Sequence, residues 1–284
     1  MSHHETSDAL AAPKPADLTV LVCDALTEKT SLPAASMTVL GLLAGGYVAF
    51  GALFATVALA GADVLPHGVG QVLAGLVFTL GLVLVMVAGA ELFTGNTLMA
   101  GLLVTRKLSL RPMLAAWSIV YVSNLVGAVF VAMLVMASGL HTGGDGGVGH
   151  AALKLAESKG DPDFTTAFTS GILANMLVCL AVWMSYAAKS VGDKVIALLL
   201  PISAFVAAGF EHSVANMFLI PYGWMVKSFA APGFWESIGA ASSSFPSVSF
   251  AGFAANLVPV TLGNIIGGLI ISIAYLTAYR GKPA

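Results

Sequence analysis

Two short polar segments sit inside otherwise apolar sequence and share one pattern. Gly89-Ala90-Glu91-Leu92-Phe93-Thr94-Gly95-Asn96 and Gly209-Phe210-Glu211-His212-Ser213-Val214-Ala215-Asn216 both read G-x-E-x4-N. An ionisable side chain at membrane depth is costly and marks a functional site by default. Gly and Asn beside it suggest a helix that breaks mid-membrane, which is tolerated only where the irregular backbone is buried or lines a cavity. Paired breaks in corresponding halves point to a transport site between them.

The chemistry these residues offer is that of a small anion and a proton. His212 is the one histidine inside a predicted span, and an imidazole changes charge near physiological pH. Burial disfavours its charged form and a bound anion favours it, so His212 is a candidate to hold or donate a proton when an anion is present. Thr94 can offer a hydroxyl beside the first break, and half-helices starting near Thr94 and Ser213 would aim positive dipole ends at the midplane. Asn175 and Asn264 are polar residues in apolar spans, where such side chains serve mostly as helix–helix ties. Glu91 and Glu211, with Asn96 and Asn216, are read as structural groups at the breaks, the carboxylates accepting freed backbone N–H groups.

The elements that position these residues follow from composition. Charged residues make up 9% of the chain and hydrophobic ones 58%, with a mean hydropathy of +0.92, against about a quarter charged in a soluble domain. This is an all-α integral membrane protein. A net charge of -2 without a basic, aromatic-interleaved stripe sets nucleic acid aside as a partner. Cys23 and Cys179 suit neither a metal site nor a disulfide framework, and His3-His4 is too short a tract for metal binding. No metal or cofactor is expected. The run Thr142-Gly143-Gly144-Asp145-Gly146-Gly147 lacks the Lys-Ser/Thr of a phosphate loop and reads as a flexible external loop. Without a His-x3-His, Cys pair or G-x-S-x-G motif, the chain is not read as an enzyme.

Apolar stretches of spanning length fall at 37–60, 70–90, 113–138, 166–187, 195–208 continuing past 213, and 252–278. The second and fifth carry the breaks, which gives six spans. Nine of the twelve Lys and Arg residues lie on the side of both termini, and Lys154, Lys159 and Lys227 lie opposite, so both termini are expected in the cytoplasm of a multi-pass inner-membrane protein. Trp224, Tyr222 and Trp235 fit an outer interfacial belt. Residues 1–36 form a polar tail, 37–278 the transmembrane domain and 279–284 a second tail. Within the first tail Leu18, Leu21, Val22, Ala25 and Leu26 have helical spacing, ended by Pro33. The halves also match at Gly41-Leu42-Leu43-Ala44 with Gly171-Ile172-Leu173-Ala174, and at Asn124-Leu125-Val126-Gly127 with Asn264-Ile265-Ile266-Gly267. Three spans per repeat is odd, so the second copy must insert upside down, a 3+3 inverted repeat.

These residues resemble the formate/nitrite transporter family, most closely its formate channels. The likeness covers roughly residues 16–278 and rests on Gly89 to Thr94, Gly171 to Tyr186, Phe210 to Phe218, Val258 to Gly268 and the stretch Phe229 to Trp235. The resemblance implies an aquaporin-like protomer in a homopentamer with one pore each. It makes Thr94 and His212 a hydrogen-bonded central pair, with Asn175 and Asn264 nearby and Lys159 attracting anions from outside. It places Phe78, Leu82 and Phe205 at narrow hydrophobic constrictions, and Leu92 and Phe93 at the slit beside the first break. Formate and protons are the expected partners, and the N-terminal segment is expected to gate or to contact a cytoplasmic formate-producing lyase. Nitrite or hydrosulfide is too similar to formate for these residues to discriminate. The inverted repeat alone would also permit a water or glycerol channel.

Overall fold

The computed structural model describes residues 11–279, so His3, His4, Arg280 and Lys282 lie outside it. The described residues are helical, with no strand. An N-terminal helix α1 (Pro15–Lys29) leads into α2 (Ala34–Leu59) and α3 (His67–Ala88). Two short pieces follow, α4 (Phe93–Asn96) and α5 (Met99–Val104), and then the long α6 (Leu110–Ala137). The second half runs α7 (Gly147–Gly160), α8 (Phe164–Ser185), α9 (Val191–Ala207), α10 (Ser213–Phe229), the short α11 (Pro232–Ile238) and α12 (Phe250–Ala278). Five of these, α2, α3, α6, α8 and α12, are long and apolar enough to cross a membrane.

Corresponding pairs pack in both halves: α2 on α6 and α3, and α8 on α12 and α9, with α3 against α9 joining them. Small residues let these helices approach closely. A Cβ on Gly127 would run into the Leu42 carbonyl oxygen, and one on Gly45 into that of Asn124, so α2 and α6 touch backbone to backbone. The breaks are set by Gly89 (φ 81°) and Gly209 (φ 72°). Both take the left-handed conformation that glycine enters without steric penalty, turning the chain out of α3 and α9.

Three expectations are corrected. On α1 the buried stripe is Thr19, Val22, Cys23 and Leu26, while Leu21 is exposed. The helix is rotated toward an i, i+4 face that also carries Lys29 inward. Tyr222 is not in an interfacial belt, for it is fully buried and stacked on Phe218 at 5.3 Å. The Gly-rich run is ordered into tight turns, with positive φ at Gly144, Asp145 and Gly146, and leads directly into α7.

Gly127→Val should destabilise the protein by roughly 1–3 kcal/mol through overpacking. The outward-facing Val126→Ala is the control, and thermal unfolding in detergent is the measurement. Equal midpoints for the two variants would contradict backbone contact between α2 and α6.

Candidate functional site

At each break the chain must restart a helix with its first N–H groups unpaired. One asparagine does this work in each half. Asn124 Oδ1 accepts from Phe93 N–H at 2.9 Å, and its Nδ2 donates to the carbonyls of Gly41 (2.8 Å) and Glu91 (2.9 Å). Asn264 Oδ1 accepts from Ser213 N–H at 2.9 Å, and its Nδ2 donates to Gly171 (2.8 Å) and Glu211 (3.0 Å). Each asparagine thus ties a broken helix to its neighbour and satisfies three main-chain groups. Asn264 is a scaffold residue in this geometry, and Asn124 is its mate.

The glutamates do not accept backbone N–H groups, as the sequence suggested. Glu91 accepts from Lys29 Nζ at 2.7 Å and Asn96 Nδ2 at 2.8 Å. Glu211 accepts from Lys159 Nζ at 2.7 Å, Asn216 Nδ2 at 2.6 Å and Asn256 Nδ2 at 3.1 Å. With the asparagines holding the backbone, the carboxylates are free to bind lysines, and a buried charge needs such a partner. The Glu and Asn of the G-x-E-x4-N pattern are therefore bonded to each other in both halves. Lys159 is not a free cation at the mouth, since it is ion-paired to Glu211 and donates to the Gly209 carbonyl at 3.1 Å.

Sequence reasoning missed Lys29 and Asn256. Lys29 had been counted only as a charge in the tail, yet the 130-residue offset that relates Gly41 to Gly171 also relates Lys29 to Lys159.

His212 begins α10 as its N-cap, and its Nδ1 accepts from Ala215 N–H at 3.1 Å. Its Nε2 lies 2.9 Å from Thr94 Oγ1. An amide N–H only donates, so Nδ1 is the accepting nitrogen and a neutral ring carries its hydrogen on Nε2. Nε2–H then donates to Thr94 Oγ1, and the Thr94 hydroxyl hydrogen is left for a third group. The Thr94 carbonyl is fixed by Thr97 Oγ1 (2.6 Å), Asn175 Nδ2 (3.2 Å) and Cys179 Sγ (3.6 Å). Asn175 also donates to Thr97 Oγ1 at 2.8 Å and to the Asn264 carbonyl, while its Oδ1 is buried without a partner.

Three cavities lie in sequence around this pair. A vestibule of about 370 Å³ is bordered by Lys159, Glu211, Phe78, Phe205 and His212. Phe78, Phe205 and His212 also border a small space of about 10 Å³, with Leu82 and Leu92. Leu82 and Leu92 in turn border a third space of about 20 Å³, on the far side from the vestibule, that is also lined by Lys29 and Asn96. Phe78 and Phe205 meet edge to face at 5.5 Å, and Phe205 stacks on the His212 ring at 5.6 Å. Thr94 is fully buried and reaches this line only through the imidazole. Phe93 is not on the line. It packs against Tyr121 (4.8 Å) and Trp117 (5.9 Å) and borders an apolar groove between α6 and α12, because the residue after Leu92 faces the opposite way.

The formate/nitrite transporter profile matches residues 16–278. The chain belongs to the formate/nitrite transporter family. It is 40% identical over 242 residues to the formate channel FocA of Escherichia coli (strain K12), covering 84% of this chain and 85% of that protein. It is 38% identical over 273 residues to a probable formate transporter of Methanothermobacter thermautotrophicus, covering 90% and 93%. Among solved structures it matches a pentameric formate channel with formate bound, with a TM-score of 0.81 and 38% identity, covering 87% of this chain and 97% of that one. The family's members are channels and transporters in membranes, which accords with the apolar helices here.

Removing Lys159 alone strands a buried carboxylate, a loss on the order of 3–5 kcal/mol. Lys159→Met should therefore lower the melting temperature of the detergent-solubilised protein. Lys159→Met with Glu211→Gln should recover much of the loss. No recovery in the double variant would mean that the two side chains do not act as a pair.

Proposed function

We propose that this protein is a formate channel, passing a small monovalent anion between two hydrophobic constrictions with the Thr94–His212 pair between them. The observation that carries the reading is the order of the cavities: a polar vestibule, the Phe78/Phe205 pair with His212 beneath it, then Leu82 and Leu92. An isolated ion in a low-dielectric medium costs tens of kcal/mol on the idealised estimate. The central space, about 10 Å³, has room for no more than about one water molecule, so a hydrated anion must shed its water there. A neutral acid avoids that penalty. A simple carboxyl titrates near pH 4, so roughly one formate in a thousand is neutral at pH 7.

The geometry constrains how a proton joins the anion. A neutral pair that gave up its proton would leave an imidazolate, which is out of reach in water's pH range. The ring must first take a proton at Nδ1, and that displaces the Ala215 N–H from the N-cap. Proton coupling and loosening of the first turn of α10 therefore go together. At rest the start of α10 offers the anion a favourable dipole, while Thr94 acts on it only through the imidazole it holds.

The wider architecture follows the same reading. The matched asparagine and glutamate clusters support an inverted 3+3 repeat with six spans and broken second and fifth helices. The pentameric neighbour supports a homopentamer with one pore per protomer, assembled in the inner membrane with both termini cytoplasmic.

The test is formate and nitrite uptake into proteoliposomes, side by side, from pH 5 to 8. Formate flux should dominate and change steeply with pH, and His212→Phe should abolish that dependence. An unchanged pH profile in the variant would remove His212 from the proton path. Dominant nitrite flux would reassign the substrate within the same pore, and free passage of water or glycerol alone would overturn the anion reading.

A further inference from the structure

Beside the vestibule lies a second cavity, of about 480 Å³, where α7 crosses the turn between α2 and α3. Asp63, His67, Gln71, His150, Lys154 and Ser158 supply its polar wall. The two spaces adjoin, for His67, Gln71 and Ser158 border both. A solute in one is a short step from the other.

The charges of this double chamber are balanced when its imidazoles are neutral. Lys154 Nζ is held by Asp63 at 2.8 Å, and deeper in, Lys159 Nζ is held by Glu211 at 2.7 Å. Among the residues lining the outer cavity, that leaves His67 and His150, and imidazole is the side chain whose charge changes between pH 5 and 8. His67 opens α3 and is exposed. His150 is half-buried on α7, its ring edge-on to Phe245 at 6.2 Å. It faces Lys154 one turn along its own helix and Asp63 from the α2–α3 turn. Burial and Lys154 together hold the His150 imidazolium below its ordinary range, with Asp63 partly offsetting them. The ring is thus neutral at pH 7.5 and takes its charge only on acidification below the ordinary imidazole range.

We propose that this cavity is an acid-activated anion antechamber, in which His67 and His150 gather a small monovalent carboxylate on the outer face and feed it to the vestibule above His212. It rests on the reading of the chain as a small-anion channel. A neutral antechamber passes anions without enriching them. Each charged ring, about 6 Å from an anion in water-like surroundings, raises its local occupancy about threefold. Salt reduces the gain, because the screening length of about 8 Å is comparable to the separation. The effect falls on capture and not on the passage through the constrictions, so it moves KM and leaves Vmax alone.

The test is uptake of labelled formate into proteoliposomes with internal pH fixed at 7.5 and external pH at 7.5 or 5.5. For the unaltered chain, acidification should lower the apparent KM several-fold more than it does for His67→Gln/His150→Gln, with equal Vmax for the two at each pH. Asp63→Asn, at an exposed position, releases Lys154 and should lower KM about threefold already at pH 7.5. An identical KM shift in the double variant, or an Asp63→Asn chain that behaves as the parent, would overturn the antechamber while leaving the channel standing. An unaltered chain that carries no formate would overturn the channel reading, and the antechamber with it.

Discussion

Main-chain polar groups released in a buried apolar interior must find partners within the protein, and this chain releases two sets of them where α3 and α9 end. The solution is the same both times. One asparagine on a long neighbouring helix accepts the first N–H of the restarted helix and donates to two carbonyls, one of them just before the restart. The other carbonyl belongs to Gly41 or Gly171 on the adjoining helix. For one short side chain to reach all three groups, α6 must lie against α2 and α12 against α8 at backbone contact. The glycine-lined seams of both pairs serve that requirement, and the rest of the site inherits its position from it.

Once the asparagines hold the backbone, the glutamates can hold lysines, and the result is two neutral polar clusters flanking the centre. Charge neutrality matters for what passes between them. An unpaired carboxylate there would repel an anion, and an unpaired lysine would trap it. The scaffold is matched across the halves but the chemistry is not. Leu92 occupies the place that His212 holds in the second half, and Val214 the place of Thr94. Each half thus supplies one member of the central pair, and the hydrogen bond that joins them also joins the halves.

Much of this was legible in the sequence. The repeated G-x-E-x4-N, the Gly41/Gly171 match and the Asn124/Asn264 match mark the parts of the scaffold that the structure brings together. They were legible because the physical demand of a buried chain break leaves few residue types that meet it. The partners of the glutamates were not legible, because a carboxylate near freed N–H groups has two plausible satisfactions and only geometry chooses between them. Phe93 was misplaced for a similar reason: at a chain reversal, adjacent residues face opposite ways, and the pattern alone does not say which faces the pore. The α1 stripe was off by one position because its apolar residues are broader than the face it buries, leaving Val20 and Leu21 outside.

The matched clusters differ in strength, and the difference bears on where the protein can move. Glu211 has three side-chain donors, whereas Glu91 has two, since the position matching Asn256 is Ala116. The helix that carries Lys159, α7, is packed against α10, α2 and α12, and its Glu157 binds the N–H groups of Ser247 and Val248 at 3.1 Å each. The helix that carries Lys29, α1, rests chiefly on α5. Local opening follows the distribution of packing and buried bonds, so it concentrates at α1. That is also where the path is narrow, with about 20 Å³ beside Lys29 against about 370 Å³ beside Lys159. The two ends of the path thus differ in anchoring as well as in width: the narrow one is bordered by the less packed of two matched helices, and the wide one by the more packed.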